Sequence, residues 1–376
     1  MIASFVAFLG LATYQAPTDP FVLAVTHSFD AWDANHDGIL TQVEIDRAAL
    51  DPKYHAEDAA ALAALHTWLA SAKDQAPQLT KAWFESYKPS RLTIAPNTPA
   101  LEAKNLRKAY AASPGSLESS YKRGLSRLAK MKRSDLFDGQ GPVLTDIRQG
   151  ALGDCFFLAP LGAMVNRDPN QVKQMVVAKA DGYQVQFGDG RKVDVGPLTD
   201  TELAMGGSAT AEGLWIRVLE KAYGSRKMKD GEVGVSRDSM NGGSVTTSGK
   251  ALTGTSYQSI RLIGNYLKEV TNAELEPTLV KLRKDIPLAI EQRRLVTAST
   301  PNREMPKSVN VNHAYAVFAY DATTDKITLW NPHGDNFKPK GPEGFEFGYA
   351  RQNGVFTMPL PEFVHTFGRI YIEEAK

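Results

Sequence analysis

The chain contains a single cysteine, Cys155, and this limits how its fold can be stabilised. No intramolecular disulfide can form, and a zinc site built on several cysteines is excluded. The 376 residues must therefore bury a hydrophobic core, and a composition of 43% hydrophobic and 23% charged residues is ordinary for a globular protein. The formal net charge of +1 argues for neither nucleic acid nor a membrane surface as a partner.

Residues 33–44 carry oxygen-bearing side chains at the spacing of an EF-hand calcium loop. Ca²⁺ binds six to eight oxygens, and the loop needs a glycine for its sharp turn, here Gly38. We therefore predict Ca²⁺ as a cofactor, and the alternative is an acidic surface turn. Leu40 is expected to pair with a neighbouring loop. The predicted ligands are Asp33, Asn35, Asp37, Ile39 through its carbonyl, Thr41 through water, and Glu44.

Residues 56–87 have the outline of a second helix, loop and helix. The loop at 71–78 lacks the ligands, so we predict a packing partner that binds no metal.

We divide the chain into a candidate signal segment (1–16), an EF-hand module (17–89), a linker with basic helices (90–134) and a core (135–376). The basic faces within 101–133 are either solvated or form an anion-binding or inhibitory segment.

The apolar run at 2–12 is too short to span a bilayer. It resembles the hydrophobic region of a secretory signal, but no positively charged residues precede it. If it is a signal, the protein is secreted or periplasmic. If it is instead the first helix of the next domain, the protein is cytoplasmic. No other segment is apolar enough to cross a membrane, so we expect no stable membrane insertion.

From Leu136 onward, glycine-rich turns alternate with β-branched and aromatic runs, which predicts an α+β core with helices first and an antiparallel sheet after them. A hairpin is expected around Gly188–Gly190. The predicted helices are 155–165, 213–224 and 360–367, and the predicted strands are 294–299, 313–320, 326–331 and 369–373.

Cys155 follows two glycines, Gly150 and Gly153, and opens an apolar run that predicts a buried helix. A lone cysteine is more often an inert buried residue. At a helix N-terminus, however, the macrodipole favours an anion and lowers the pKa of a thiol. The side-chain amide of Gln149 is placed to join the Cys155 backbone N–H as an oxyanion hole. These features predict a nucleophile.

The segment Gln149–Cys155 (QGALGDC) resembles the active-site motif of the calpain family of cysteine peptidases. Further similarities lie in SDLFD at 134–138, LEKAYG at 219–224, NGGS at 241–244 and LTG at 252–254. The resemblance implies a papain-like fold over residues 135–376. It also implies that His313, in a His-Ala-Tyr motif, is the base, and that Asn331, before Pro332, orients it.

Three residues depart from the family pattern. Phe156 replaces the usual Trp after the nucleophile, His333 replaces the Trp that shields the His–Asn bond, and Pro160 falls inside the nucleophile helix. We expect them to affect turnover and pH optimum and to leave the mechanism intact. The family core also binds calcium, and the positions that resemble its ligands are Gly139, Gly141, Asp146 and Glu220.

These observations predict a calcium-dependent cysteine endopeptidase with Cys155, His313, Asn331 and Gln149 as its catalytic residues, acting on proteins or peptides through a thioester. Two alternatives stay open. One is a transglutaminase-like acyl transferase on the same superfold, in which an amine resolves the thioester. The other is an inactive calcium-binding module. The oligomeric state and the substrate preference are not determined by the sequence.

Overall fold

The computed structural model describes residues 19–131, 135–137, 141–150, 152–206, 213–229 and 234–375. The candidate signal segment and Gly139 lie outside the described residues. In the described part of the chain, no helix combines the length and hydropathy needed to cross a membrane.

The described part of the chain begins at residue 19, and its first four helices pack around one aromatic core. Capping side chains start these helices: Asp19 accepts the Phe21 N–H at 2.8 Å, and Thr41 and Glu44 form a reciprocal capping box. Phe21 and Phe29 lie in the buried core beneath. The helices are α1 (Pro20–Trp32), α2 (Gln42–Ala49), α3 (Ala56–Ala72) and α4 (Lys81–Ser86).

The connections α1–α2 and α3–α4 lie side by side. Leu40 donates its backbone N–H to the carbonyl of Leu79 at 3.0 Å, and the two residues form an isolated antiparallel bridge. Leu40 is the apolar position that the sequence predicts would pair with a neighbouring loop. Gly38 adopts a φ of 79°, a left-handed conformation that favours glycine, at the sharp turn of the first connection.

Two further helices connect this region to the rest of the protein. Residues 113–116 interrupt the α-helical structure and separate α5 (Ala100–Ala112) from α6 (Leu117–Lys130). Tyr121 of α6 lies in the aromatic core. Arg127 of the same helix donates to the carbonyls of Ala204 and Met205 at 2.9 and 3.0 Å. Helix α6 therefore ties the four N-terminal helices to the core.

The first half of the core is mainly helical and carries a small sheet. The predicted hairpin is present, and a strand that the sequence did not indicate extends it to three antiparallel strands. The elements are α7 (Cys155–Arg167), α8 (Pro169–Met175), β1 (Val176–Lys179), β2 (Gly182–Gln186), β3 (Lys192–Val195), α9 (Asp200–Ala204), α10 (Trp215–Lys227) and α11 (Val245–Thr253).

The second half is a six-stranded antiparallel sheet in the order β4-β9-β5-β6-β7-β8. One face packs on α7 through Ala314 and Ala316, and the other packs Tyr315 and Val317 against the helices that follow β4 and β8. The elements are β4 (Tyr257–Arg261), α12 (Asn272–Glu291), β5 (Val296–Ser299), β6 (Ala314–Asp321), β7 (Lys326–Trp330), β8 (Val355–Pro359), α13 (Leu360–Thr366) and β9 (Arg369–Glu373).

The predicted α+β class of the core is confirmed, while several elements escaped prediction. The missed elements are the strands β1, β4 and β8 and the helices α8, α9, α11 and α12. Helix α12 is 20 residues long despite Pro277 and Pro287, which disfavour a helix interior. Its apolar residues Leu279, Leu282 and Ile286 pack on the sheet, so tertiary burial outweighs the local preference.

Helix α7 approaches the sheet closely because residue 162 is glycine. A Cβ at Gly162 would lie 2.2 Å from the ring of Trp330. Trp330 ends β7 and is fully buried. The contact holds the helix that begins at Cys155 against the strand that leads into Asn331.

A buried histidine connects the N-terminal helices to the core. His66 of α3 lies between two carboxylates, with Nδ1 at 2.7 Å from Asp46 and Nε2 at 2.9 Å from Asp238. Burial alone would lower the pKa of His66, but the hydrogen bonds to Asp238 and Asp46 outweigh it and raise the pKa to about 9. His66 is therefore charged at neutral pH, with a carboxylate on each side.

This raised pKa predicts that stability depends on pH. The contribution of charged His66 to the free energy of unfolding is fully present below the unfolded-state pKa of about 6.5. It is lost as the pH rises through the folded-state pKa of about 9. We expect urea unfolding to show a loss of about 3 kcal/mol between these values. His66→Gln should flatten this slope, whereas the exposed His27→Gln should retain it. An unchanged slope in His66→Gln would rule out the charged pair.

Candidate active site

Cys155 is the first residue of α7, as the sequence predicts. Asp154 precedes the helix, and its carbonyl accepts the N–H groups of Phe157 and Leu158 at 2.8 and 3.0 Å. The first turn of a helix leaves backbone N–H groups without intrahelical partners. Cys155 as a residue is partly exposed, and its position in this first turn places it beside N–H groups that can stabilise developing negative charge.

The thiol is nevertheless not activated by its surroundings alone. Burial raises the pKa of Cys155, and the nearby carboxylate of Asp154 acts in the same direction. The backbone N–H groups of Ala314 and Phe156 and the charge of Lys104 lower it. The raised pKa differs from the lowered one expected at a helix N-terminus, because desolvation of the thiolate outweighs these favourable groups.

His313 and Asn331 meet where β6 begins and β7 ends, at the end of the six-stranded sheet near Cys155. His313 immediately precedes β6, and Asn331 immediately follows β7. The imidazole Nε2 lies 2.9 Å from the Asn331 side-chain oxygen. The Asn331 amide nitrogen donates to Asn310 at 2.8 Å, which directs the amide oxygen toward the imidazole. Because Nε2 is engaged, Nδ1 is the nitrogen left to exchange a proton.

The backbone of His313 is held by Thr300, which no sequence motif marks. Thr300 accepts the His313 N–H through its hydroxyl at 3.0 Å and donates its own N–H to the His313 carbonyl at 2.9 Å. Asn310 and Thr300 are polar residues of ordinary loops, and no motif marks them. Burial and the neighbouring His333 lower the pKa of His313 well below its usual range, so its ring is neutral at neutral pH.

Gln149 is fixed to the segment after Asn331. Its backbone N–H donates to Pro332 at 2.8 Å, and its carbonyl lies 3.2 Å from Nδ1 of His333. Its side-chain nitrogen donates to the carbonyl of Leu152 at 2.7 Å, within the turn that leads to Cys155. An amide nitrogen has two hydrogens, so a second N–H remains for an oxyanion.

A family model described as calpain family cysteine protease matches residues 105–342, more than half of the chain. The chain belongs to the calpain family of cysteine proteases.

Three curated relatives illustrate how far this similarity extends. The Gallus gallus calpain-1 catalytic subunit is 26% identical over 270 residues, covering 62% of this chain and 36% of the relative. The Homo sapiens calpain-1 catalytic subunit is 30% identical over 265 residues, covering 62% and 35%. The Gallus gallus calpain-2 catalytic subunit is 24% identical over 272 residues, covering 63% and 36%. The chain spans about a third of the length of these relatives.

Two departures from the calpain motif are accommodated by neighbouring residues. Pro160 has no N–H to donate to the carbonyl of Phe156, and the Ser248 hydroxyl of α11 donates to that carbonyl instead, at 2.5 Å. Phe156 is buried against Gly243, where a Cβ would lie 2.4 Å from the ring. Both substitutions thus depend on the glycine-rich segment and the helix after it.

The third departure, His333, occupies the shielding position of this calpain-family site. Its ring stacks on His313 with centroids 4.8 Å apart and an interplanar angle of 1°. Burial lowers the pKa of His333. A neutral ring at this position covers one face of His313, and protonation of His333 would oppose a charge on His313.

A lysine outside the predicted site also lies close to it. Lys104 of α5 donates to the carbonyl of Val311 at 2.9 Å, two residues before His313. On the same helix, the N–H of Leu101 donates to Glu304 at 3.3 Å. Burial lowers the pKa of Lys104, while the nearby thiolate form of Cys155 raises it. Helix α5 therefore lies on the loop that carries His313, and part of the predicted basic segment is not solvated.

The carboxylates of the predicted calcium loop accept hydrogen bonds from backbone N–H groups of the same loop. Asp33 accepts the N–H groups of Asp37 and Gly38 at 3.2 and 2.8 Å. Glu44 accepts the N–H groups of Ala34 and Thr41 at 3.0 and 2.9 Å. The oxygen donors suit Ca²⁺. In the described residues, however, no three His, Cys, Asp or Glu side chains converge closely enough to hold a metal ion.

The calcium positions suggested within the core remain predictions. Asp146 is buried and accepts the Val143 N–H and the indole N–H of Trp215, each at 3.1 Å. These bonds are those of a residue that caps a turn. Gly141 adopts a φ of 82°, and Glu220 is buried in α10.

We expect Lys104 to affect the reactivity of Cys155. Removing its charge in Lys104→Met should move the pH midpoint of Cys155 alkylation by iodoacetamide upward, because that charge favours the thiolate. Cys155 is the only cysteine, so the incorporated label reports this thiol alone. Lys108→Met, on the same helix, serves as the control. Equal midpoints in both variants would show that Lys104 does not act on the thiol.

Proposed function

We propose that the protein is a cysteine endopeptidase that cleaves peptide bonds through a thioester on Cys155. The hydrogen bond of 2.9 Å between His313 and Asn331, buried at the sheet edge beside the nucleophile helix, carries this proposal. A base held by an amide, next to a thiol at a helix N-terminus, is the arrangement of a Cys-His-Asn triad.

The first step transfers the Cys155 proton to Nδ1 of His313 as the sulfur attacks the substrate carbonyl. The raised pKa of the thiol and the lowered pKa of the imidazole favour a neutral resting pair. Proton transfer therefore accompanies the attack and produces no stable ion pair beforehand. His313 then protonates the leaving amine, and water, deprotonated by His313, hydrolyses the thioester.

The carbonyl oxygen becomes negatively charged during attack. The Cys155 backbone N–H and the second side-chain N–H of Gln149 are the proposed donors. Each such donor typically contributes about 3 kcal/mol to the stability of the transition state. The bonds from Gln149 to Leu152 and Pro332 hold this donor in place before the substrate binds.

We also propose that Ca²⁺ binds the loop at residues 33–44. The oxygen donor set, the left-handed Gly38 and the bridge from Leu40 to Leu79 support it. Bound Ca²⁺ would draw negatively charged oxygens away from backbone N–H groups toward a common centre. The residues that would hold the ion are Asp33, Asn35, Asp37, Ile39, Thr41 and Glu44.

A chain of contacts runs from this loop toward the nucleophile. Glu44 lies in the first turn of α2, and Asp46 of the same helix pairs with His66. His66 contacts Asp238, which lies in the 3-10 helix Ser236–Met240. Shortly after it, the N–H of Gly242 donates to the carbonyl of Gly153 at 2.9 Å. Movement of α2 would thus be transmitted to the turn before Cys155.

The peptidase proposal predicts that casein or a quenched peptide is cleaved by the native protein, and that Cys155→Ala lowers the rate by about 10⁴-fold or more. The measurement uses purified protein with calcium. Incorporation of a fluorescent amine into a glutamine donor, without cleavage, would identify an acyl transferase instead. Absence of both reactions at every calcium concentration would exclude an active enzyme.

The calcium proposal predicts that Glu44→Gln weakens Ca²⁺ binding by roughly 10- to 100-fold, because one ligand charge is lost. Isothermal titration calorimetry measures the affinity, and thermal unfolding with and without calcium provides a second readout. The exposed Glu85→Gln is the matched control. Cleavage that is equal with calcium and with EGTA would remove calcium dependence and leave the peptidase intact.

A further inference from the structure

A cavity of about 370 Å³ lies at the same end of the strands of the six-stranded sheet as His313. Three arginines line it: Arg261 at the end of β4, Arg369 at the start of β9, and Arg303 in the loop that leads to His313. Ser299 and Tyr371 add two hydroxyl groups, which lie 3.1 Å apart. None of the lining residues is an aspartate or a glutamate.

Strand register connects this cavity to the catalytic residues. Arg261 pairs with Arg369, Arg369 pairs with Ser299, and Ser299 pairs with Ala314, which follows His313. Adjacent strands lie about 4.8 Å apart, so Arg369 is about 10 Å and Arg261 about 15 Å from Ala314 along this row. The Ala314 N–H is close enough to Cys155 to lower the pKa of its thiol.

The arginine row also lies on the face of the sheet that faces the nucleophile helix. In strands, side chains alternate between the two faces. Ala314 on β6, Tyr371 on β9 and Tyr257 on β4 all pack against the core that contains α7. Arg369 and Arg261 lie two and four residues from these tyrosines on the same strands, and therefore on the same face.

The positive charge of the cavity is not neutralised within the described part of the chain. No ion pair joins Arg261, Arg303 or Arg369 to a described carboxylate, and Arg369 donates to the hydroxyl of Ser259 at 3.1 Å. Three guanidinium groups around one cavity repel each other. A carboxylate relieves this repulsion and accepts paired hydrogen bonds from a guanidinium.

We propose that this cavity binds an acidic side chain of the substrate and so determines cleavage specificity. The inference rests on the proposed peptidase function. An extended peptide advances about 3.3 Å per residue, and the long arginine side chains shorten the distance that the peptide must cover. A substrate that runs from the catalytic residues along these strand ends therefore reaches the cavity two to four residues from the cleaved bond. An Asp or Glu at that position would bind there.

The test uses a set of quenched peptides in which each position within four residues of the cut carries either Glu or Gln. At one position two to four residues from the cut, Glu should raise kcat/KM about five- to tenfold over Gln, mainly through KM. Added salt should reduce this ratio, because the site is open to solvent. Arg369→Gln and Arg261→Gln should bring the ratio toward one by lowering kcat/KM for the Glu peptide.

Arg191→Gln is the matched control, since this exposed arginine lies in the β2–β3 turn of the other sheet. Binding of the same peptides to Cys155→Ala, measured by fluorescence anisotropy, separates the two proposals. Arg369-dependent preference for Glu in binding, without cleavage by the native protein, would support the cavity and refute the peptidase. Cleavage with equal rates for Glu and Gln at all positions would refute the cavity and retain the peptidase.

Discussion

The close packing of α7 on the six-stranded sheet is the contact on which the site depends. Gly162 allows the helix to lie directly on Trp330. The same helix begins with Cys155, and the strand that ends with Trp330 leads into Asn331. A larger residue at 162 would push the helix away and separate the thiol from the imidazole. Helix packing therefore sets the geometry of a site whose residues are far apart in sequence.

Around this contact, the thiol of Cys155 and the imidazole of His313 are neutral, and neighbouring residues hold His313 in place. Burial raises the pKa of Cys155 and lowers that of His313. Asn331 orients the imidazole, Thr300 holds the backbone of His313, and the stacked ring of His333 covers one face of the imidazole. A charge on any of these rings would be costly in such surroundings. In the mechanism that we propose, these neutral states favour proton transfer in step with nucleophilic attack.

The N-terminal helices are connected to the core through polar contacts as well as apolar ones. His66 pairs with a carboxylate from each side, and Arg127 bonds two carbonyls next to α9. Helix α5 reaches the loop before His313 through Lys104. The predicted basic segment therefore contributes to the environment of the site. Sequence spacing could not indicate this, because exposed and buried lysines look alike in a helical pattern.

The sequence by itself determined the family, the α+β class and the residues expected to carry the chemistry, because motifs around Cys155, His313 and Asn331 are local in the chain. It also predicted the hairpin and the paired position of Leu40. Only the tertiary structure decided the partners of those residues. Thr300, Asn310, Lys104 and the hydroxyl of Ser248 belong to unremarkable loops and helices, and strand pairing brings Arg261 and Arg369 to the row of Ala314. Contacts between distant segments arise from packing, which local patterns do not encode.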